Sequence, residues 1–429
     1  MHPHLNTVRS ESAPGSAVRS CTTGVRTRLF PSLEIVTLGI VTLGLVFVGS
    51  GGAVQAGSQP TVEIKVGKEL YTGKIVAHQA DVVYLFGQDG EITQLKIDTV
   101  GKFRQVSPRF EGWPASTMVT RLKKELGSSF SIATSRHYIV CAPDEKRARS
   151  YVNLFEDVYR SFHLYFSVRG FSISDPECPL VAIVFPNQAA FNKYAATDKV
   201  RISKGLKGYY HPSSNRIALY EEQAAVSAVS PDGILNPWTE ISQQHLVQSN
   251  PFLQPVQEME WAGSIDGDLQ DTMVHEATHQ IAFNVGLHAR LGANPRWVVE
   301  GLATVFEAPG IRGGHSSSNL KSRLNPERQA WFVNFAKNRR KSRTLAQFLA
   351  EDRAFDTQTL DAYSEAWALS FYLVEKRPRD YAKYLARISK KDPLKEYTSQ
   401  QRVADFEQTI SKDLNLIEAE YIRFITSLK

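Results

Sequence analysis

Apolar and polar residues alternate with a period of two along residues 60–106. Five short runs follow this pattern, separated by Gly-containing turns such as GQDG: TVEIKV, LYTGKIVAH, DVVYLFG, ITQLKI and GKFRQV. Such alternation between turn signals is typical of half-buried β-strands. Residues 57–107 are therefore predicted to form a small all-β barrel.

The pattern becomes mixed after residue 115. SIATSRHYIVCAP contains two strand-like runs, EKRARSYVNLFEDVYRSFHLYF has helical spacing, LVAIVF is a buried strand, and GYYHPSSNRIALYE is a hairpin that turns at PSSN. Residues 223–268 are rich in Pro, Gln, Ser and Gly and are predicted to be a loop-rich insertion. After residue 316 the chain is nearly all helix by its spacing. An α+β fold class follows.

The first 56 residues have the composition of an export signal. A polar stretch with arginines precedes an apolar run at residues 35–48, and small residues stand at Ala53 and Ala56. The run is shorter than the roughly 20 residues that a membrane span needs. A signal peptide cleaved after Ala56 is the first interpretation, and an uncleaved N-terminal anchor is the second. Both predict that the body of the protein is exported to the periplasm, the cell envelope or the medium.

Composition excludes a disordered chain and gives little support to nucleic-acid binding. Of 429 residues, 42% are hydrophobic and 22% charged, which is ordinary for a globular protein. The net charge of +6 is spread along the chain. Its densest basic cluster, at residues 337–343, is predicted to be a solvated helix end, so no nucleic-acid partner is expected.

Two cysteines, Cys141 and Cys178, lie in the predicted exported body. In an oxidising compartment they can form a disulfide, and two buried free thiols fit the sequence equally well. No CxxC pair marks them as metal ligands.

The stretch VHEATHQ carries the most specific chemistry. Residues 269–286 are predicted to form a helix whose core-facing stripe is Val274, Ala277, Ile281 and Val285. His275 and His279 are four residues apart and share another face, where two imidazoles can reach one zinc ion. Between them, Glu276 can accept a proton from a water activated by the metal.

A third ligand is available on the next predicted helix, which begins at NPRWVVEGLA. Glu300 follows His279 by 21 residues, enough for a turn and a second helix packed antiparallel to the first. Its neighbours are apolar, and a carboxylate buried among them needs a partner. Two imidazoles and one carboxylate leave a fourth zinc position open for water.

HEATHQ followed by WVVEGLA resembles the gluzincin zinc metallopeptidases, and specifically the exported peptidase-MA-like family. The resemblance covers residues 115–429 and implies a zincin-like domain with one Zn²⁺ per chain. It implies that His275, His279 and Glu300 bind zinc while Glu276 is the general base. The implied domain parts are 115–222 (α/β part), 223–268 (insertion), 269–310 (zinc-site helices) and 316–429 (helical part).

Three further expectations follow from the resemblance. Tyr363, in DAYSEAWAL, corresponds to the tyrosine that stabilises the oxyanion in this family. Thr304 or Glu307 is a candidate to orient a zinc-binding histidine. The strand RIALYE resembles the edge strand that holds an extended peptide. Apart from this family, the five short strands of residues 57–107 resemble the small SH3-like barrels that precede catalytic domains in exported bacterial proteins.

The predicted function is that of an exported zinc metallopeptidase acting on a peptide or protein substrate. Two alternatives remain open. One is a zinc-binding, non-catalytic scaffold or adhesion module of the cell envelope. The other is a zinc amidohydrolase with a non-peptide substrate, because the motif determines the attacking chemistry and not the acyl group.

Overall fold

The computed structural model of the chain describes residues 59–202, 206–221, 267–311 and 319–428. The predicted export signal and nearly all of the predicted insertion at 223–268 lie outside the described residues. Residues Ala56–Lys429 form one compact unit. Among the described residues, we find no helix with the length and apolar content that crossing a membrane requires.

The five predicted N-terminal strands are present. They are β1 (Thr61–Val66), β2 (Glu69–His78), β3 (Val82–Gly87), β4 (Ile92–Lys96) and β5 (Val100–Ser107). All pair antiparallel, in the order β4-β3-β2-β1-β5, around a small core centred on Val62, Ile64 and Leu85.

The predicted barrel is not closed in the described part of the chain. Strands β4 and β5 are the two ends of the strand order and do not pair with each other. A three-residue 3-10 turn, Ile97–Thr99, leads from β4 into β5, which then pairs with β1 across the module. The structure therefore has an open five-stranded sheet at this end.

A second five-stranded sheet follows, in the order β6-β7-β8-β10-β9. Its strands are β6 (Ser131–Thr134), β7 (Tyr138–Ala142), β8 (Leu180–Phe185), β9 (Gly208–His211) and β10 (Arg216–Tyr220). The central strands β7, β8 and β10 are parallel, and all six residues of β8 are buried, as expected for a strand covered on both faces. The outer strands β6 and β9 are antiparallel to their neighbours.

Helices cover both faces of this sheet. On one face lie α1 (Ala115–Leu126), which the sequence analysis did not predict, and α3 (Gln188–Thr197). The other face packs against α2 (Glu145–Ser167) and α4 (Gly267–Asn284). The helix with the HEATHQ sequence therefore lies directly on the sheet.

The hairpin strand at 216–220 is not an edge strand, contrary to the expectation. It is β10, which pairs with β8 on one side and β9 on the other, so its main chain is already used in the sheet. The edge of the described sheet next to α4 is β9.

The rest of the chain is helical, as predicted. The helices are α5 (Arg296–Phe306), α6 (Pro326–Asn338), α7 (Leu345–Ala350), α8 (Ala354–Thr357), α9 (Thr359–Lys376), α10 (Pro378–Ile388), α11 (Ser399–Thr409) and α12 (Leu414–Ser427). Twelve residues of α9 are buried, which makes it the central helix of this part. It packs on α5 and α6.

The basic cluster at 337–343 is only partly a solvated helix end. Helix α6 ends at Asn338, and Arg339 is exposed. Arg340 is different: its side chain is 3% exposed and forms ion pairs with Glu365 at 2.8 Å and Glu418 at 2.9 Å. The prediction is wrong for Arg340, because buried carboxylates of α9 and α12 draw the guanidinium inward.

Both cysteines are free and buried. Cys141 lies in β7 beneath α1 and α3, whereas Cys178 packs with Phe86 and Phe110 in a separate cluster. Burial raises the pKa of both thiols to about 12. Of the two alternatives left open by the sequence, the structure contains free thiols.

Prediction for Gly301. A Cβ atom at this position of α5 would lie 2.2 Å from Ser370 Oγ and 2.5 Å from the Ala366 carbonyl oxygen of α9. Helix propensity alone would make Gly301→Ala stabilising by about 1 kcal/mol. We expect instead a loss of about 1–3 kcal/mol in the free energy of unfolding, because two backbones must separate.

Denaturant unfolding measures this change. Gly101→Ala is the matched control, since its Cβ would meet only the Lys65 carbonyl oxygen, at 3.8 Å. If Gly301→Ala is as stable as wild type, α5 and α9 can move apart at this contact without a measurable cost in stability.

Candidate metal centre

Helix α4 presents two faces, as the sequence predicts. Val274, Ala277 and Ile281 are fully buried and Val285 is 1% exposed. His275 and His279 point away from this core stripe and toward α5. The helix ends at Asn284, and Gly286, with φ of +88°, reverses the chain while the Leu287 and His288 amides donate to the Ala282 carbonyl.

Helix α5 brings the third group. It starts directly after Pro295 and buries Trp297 and Val298 against the core, which turns Glu300 toward α4. His275, His279 and Glu300 each offer one ligand atom within 4.8 Å of the others. The three residues can therefore hold a metal ion.

Distances at the centre fit a small tetrahedral ion. His275 Nε2 and His279 Nε2 are 3.1 Å apart, and Glu300 Oε2 is 3.5 Å and 3.6 Å from them. Ligand atoms at 2.0–2.1 Å from a tetrahedral zinc ion are separated by about 3.3 Å. The Oε2 atom of Glu300 is buried and has no hydrogen-bond partner in the described structure, as expected of an atom that a cation would satisfy.

The same proximity shifts the acidities of the ligands. Burial alone would raise the pKa of Glu300, but the two facing imidazoles hold this pKa well below its ordinary value. Burial would lower the pKa of His275, whereas Glu300 and Glu307 raise it well above its ordinary value. The free centre therefore favours positive charge on His275 between two carboxylates, and a metal cation would compete with a proton for the same place.

Glu307 orients His275. Its Oε1 accepts a hydrogen bond of 2.9 Å from His275 Nδ1, and its Oε2 is held by Asn325 Nδ2 at 2.8 Å and Arg328 Nε at 3.4 Å. Burial would raise the pKa of Glu307, but His275 and Arg328 lower it. Glu307 stays ionised and fixes the tautomer in which His275 Nε2 faces the centre.

Of the two candidates for this role, Thr304 is excluded by its contacts. Its hydroxyl donates to the backbone oxygens of Glu300 and Gly301 inside α5. Asn325, Arg328 and Arg296 were not predicted to belong to the site. The Asn-Pro pair at the start of α6 predicts a helix terminus. It does not predict that Asn325 and Arg328 hold the carboxylate of Glu307.

His279 and His288 share a feature that the sequence did not reveal. His279 Nδ1 and both ring nitrogens of His288 are buried, and in the described structure none has a hydrogen-bond partner. Burial, and next the charge of His279, lower the pKa of His288 to about 3, so its ring is neutral. His288 is thus an uncharged residue beside the centre, with its ring edge-on to the ring of Phe283.

Glu276 and Tyr363 both lie beside the three ligating side chains. Glu276 is half-buried and outside the ligand group, and its charge acts on His275. Tyr363 lies on α9, with its ring against Phe355 and Arg328. Burial first and the charge of Glu300 second raise the pKa of Tyr363, although Arg296 opposes them, so the phenol keeps its proton. All five sequence-predicted site residues are in one place.

Comparison with known proteins adds a family match without a function. A family model described as a protein of unknown function (DUF1570) matches residues 270–395. The matched segment runs from α4 past the end of α10 and contains all five site residues. A search of curated proteins finds no match to the chain.

Prediction for Glu307. Glu307→Gln keeps the size of the side chain and removes the charge that supports His275. We expect zinc affinity, measured by competition with a chromophoric chelator, to fall about 10- to 100-fold. Glu327→Gln, a nearby exposed carboxylate on α6, is the control for the change in charge and should bind as wild type does. Equal affinities for all three proteins would exclude this orienting role.

Proposed function

We propose that the protein is a zinc-dependent peptidase of the gluzincin type. The observation that carries this proposal is the convergence of two imidazole nitrogens and one carboxylate oxygen within 3.6 Å, beside Glu276 on the same helix. Two nitrogen ligands and one oxygen ligand with an open fourth position are the donor set of catalytic zinc sites. The α/β layer before α4 and the helices after it are compatible with a zincin-like domain.

A bound zinc ion would supply Lewis acidity to an attacking water and to the substrate carbonyl. Glu276 would accept the proton of that water through its carboxylate and then donate it to the leaving amine. Glu276 follows His275 directly and is not one of the three residues that could hold a metal ion, which supports a role beside the ion and not as its ligand.

Tyr363 would donate its phenol proton in a hydrogen bond to the oxygen that gains negative charge in the tetrahedral intermediate. The raised pKa supports this role, because a neutral phenol is a donor and a phenolate is not. Arg296 acts on the same phenol and is itself bound to Asp356 at 2.9 Å, which fixes the approach of Tyr363 to the centre.

Export remains part of the proposal. The apolar run at 35–48 and the small residues Ala53 and Ala56 support an exported enzyme that is either released by cleavage or anchored in the membrane. The open sheet at 61–107 is the SH3-like module of this proposal, with either a docking or a spacing role.

Prediction for Glu276. Wild-type protein should bind about one zinc ion per chain and cleave an unfolded protein substrate. Glu276→Gln should bind zinc equally well and lose nearly all cleavage, since the amide cannot accept the proton. Zinc is measured by elemental analysis and cleavage by mass spectrometry of the products.

The other outcomes separate the alternatives. Zinc binding without cleavage of any peptide by wild type would favour the scaffold or the non-peptide amidohydrolase, and cell-wall amides would then be the next substrates. A protein that binds no zinc would exclude all three functions.

Prediction for Tyr363. Tyr363→Phe should lower kcat about 100- to 1000-fold, as loss of an oxyanion donor does, with KM and zinc content nearly unchanged. Tyr384→Phe is the control, because Tyr384 is a buried tyrosine of α10 whose hydroxyl, unlike that of Tyr363, has no hydrogen-bond partner in the described structure. A Tyr363→Phe enzyme with wild-type kcat would show that the phenol only packs.

A further inference from the structure

A groove of about 780 Å³ lies between α6 and the first turn of α9. Its walls include Glu327, Trp331 and Asn334, which form one stripe of α6, and Gln358, Leu360 and Asp361, which begin α9. Trp331 is 38% exposed and Leu360 51%, so large apolar side chains face solvent here. A concave surface with apolar walls and a few polar groups is typical of a ligand site.

Two residues of the groove walls lie close along their helices to residues beside the candidate metal centre. Glu327 precedes Arg328, which holds Glu307 and lies over the Tyr363 ring, with 5.7 Å from its Cζ atom to the ring centroid. On the opposite wall, Leu360 lies one helical turn before Tyr363. The groove therefore lies along α6 and α9 beside the contact between Arg328 and Tyr363.

The aromatic wall is fixed in place before any ligand arrives. Trp331 Nε1 donates a hydrogen bond of 2.8 Å to Asp361 Oδ1, and Arg339 Nη2 donates to the same oxygen at 2.6 Å. The Arg339 guanidinium also lies over the indole, 5.9 Å from its centroid. Because Asp361 is paired, the groove has an apolar surface without an uncompensated charge at this point, and a preorganised surface costs little entropy on binding.

We propose that this groove is a specificity subsite that binds a large apolar or aromatic side chain of a polypeptide substrate, close to the bond that is cleaved. The inference rests on the proposed peptidase function and names the substrate class. Trp331 and Leu360 would cover the side chain, and the amides of Asn334 and Gln358 are placed at the walls to hydrogen-bond the peptide main chain.

Two other cavities lack this link to the centre. A groove of about 720 Å³ beside Lys376, Arg379 and Arg423 is strongly basic, and a pocket of about 290 Å³ beside Glu91, Glu125 and Asp198 is acidic. Neither is lined by a direct sequence neighbour of Arg328 or by a residue within one helical turn of Tyr363. The groove at Trp331 combines apolar walls with both Glu327, which precedes Arg328, and Leu360, which lies one turn before Tyr363.

The test compares two peptides that differ only in having Phe or Ala next to the cleaved bond. Wild type should cleave the Phe peptide with a higher kcat/KM than the Ala peptide. Trp331→Ala should lower kcat/KM for the Phe peptide about 10- to 100-fold and change kcat/KM for the Ala peptide less than about threefold. Leu360→Ala should act in the same direction with a smaller effect. Leu416→Ala, an equally exposed leucine on α12, is the matched control and should leave both values unchanged.

Titration calorimetry with zinc-loaded Glu276→Gln protein separates failure of the groove from failure of the peptidase. One outcome is that wild type cleaves neither peptide and still binds the Phe peptide more tightly than the Ala peptide. If Trp331→Ala removes that difference in affinity, the groove is a peptide-binding site even though the peptidase proposal has failed. Equal binding of Phe and Ala peptides, or an unchanged preference in Trp331→Ala, would overturn the inference. Binding of glycan oligomers that competes out the Phe peptide would overturn it in favour of a carbohydrate site.

Discussion

The carboxylate of Glu300 imposes the constraint on which the centre depends. It is buried among apolar residues of α5, where an unpaired charge would cost several kcal/mol. Two imidazoles offset this cost in the free protein, and they do so only if α4 and α5 pack with His275 and His279 facing Glu300. His275 is also hydrogen-bonded to a second carboxylate, Glu307, which Asn325 and Arg328 hold in place. Each partner comes from a different part of the chain, so the ionic network couples three helices.

The sheet holds this network in register. Gln280, one residue beyond the second histidine, is buried and donates to the carbonyl oxygens of Val181 and Asn215. Asn284, one turn later, exchanges two amide hydrogen bonds with Asn215, which has a φ of +59° at the end of the β9–β10 turn. The C-terminal part of α4 is thus fixed to strand β8 and to the turn before β10. The imidazoles cannot rotate about the helix axis without breaking buried hydrogen bonds.

Residue patterns predict this centre well where the chemistry is local. His275 and His279 share a face because of helix geometry, and Glu300 is recognisable because it is the lone acid in an apolar helix. Two features of the site depend on where the chain turns. The burial of a neutral His288 follows from the turn at Gly286, and the support of the His275–Glu307 pair follows from where α6 begins. The periodicity of apolar residues predicts neither of these turns. The prediction that residues 216–220 form an edge strand was wrong for the same reason. RIALY has the composition of a buried strand, and only its parallel pairing with β8 reveals that β10 is internal.

Different helices carry the two parts of the proposed hydrolytic site. Helix α4, tied to the sheet, and helix α5, packed through Gly301 on α9, hold the ligating atoms with little freedom. Tyr363 and the wall of the groove lie together on α9, so the group that would stabilise the oxyanion and the surface that would select a side chain move as one unit. Because α9 is the central buried helix, a change in substrate preference is expected to arise from exposed residues at its first turn and on α6. The residues of the candidate metal centre would then remain unchanged while the groove varies.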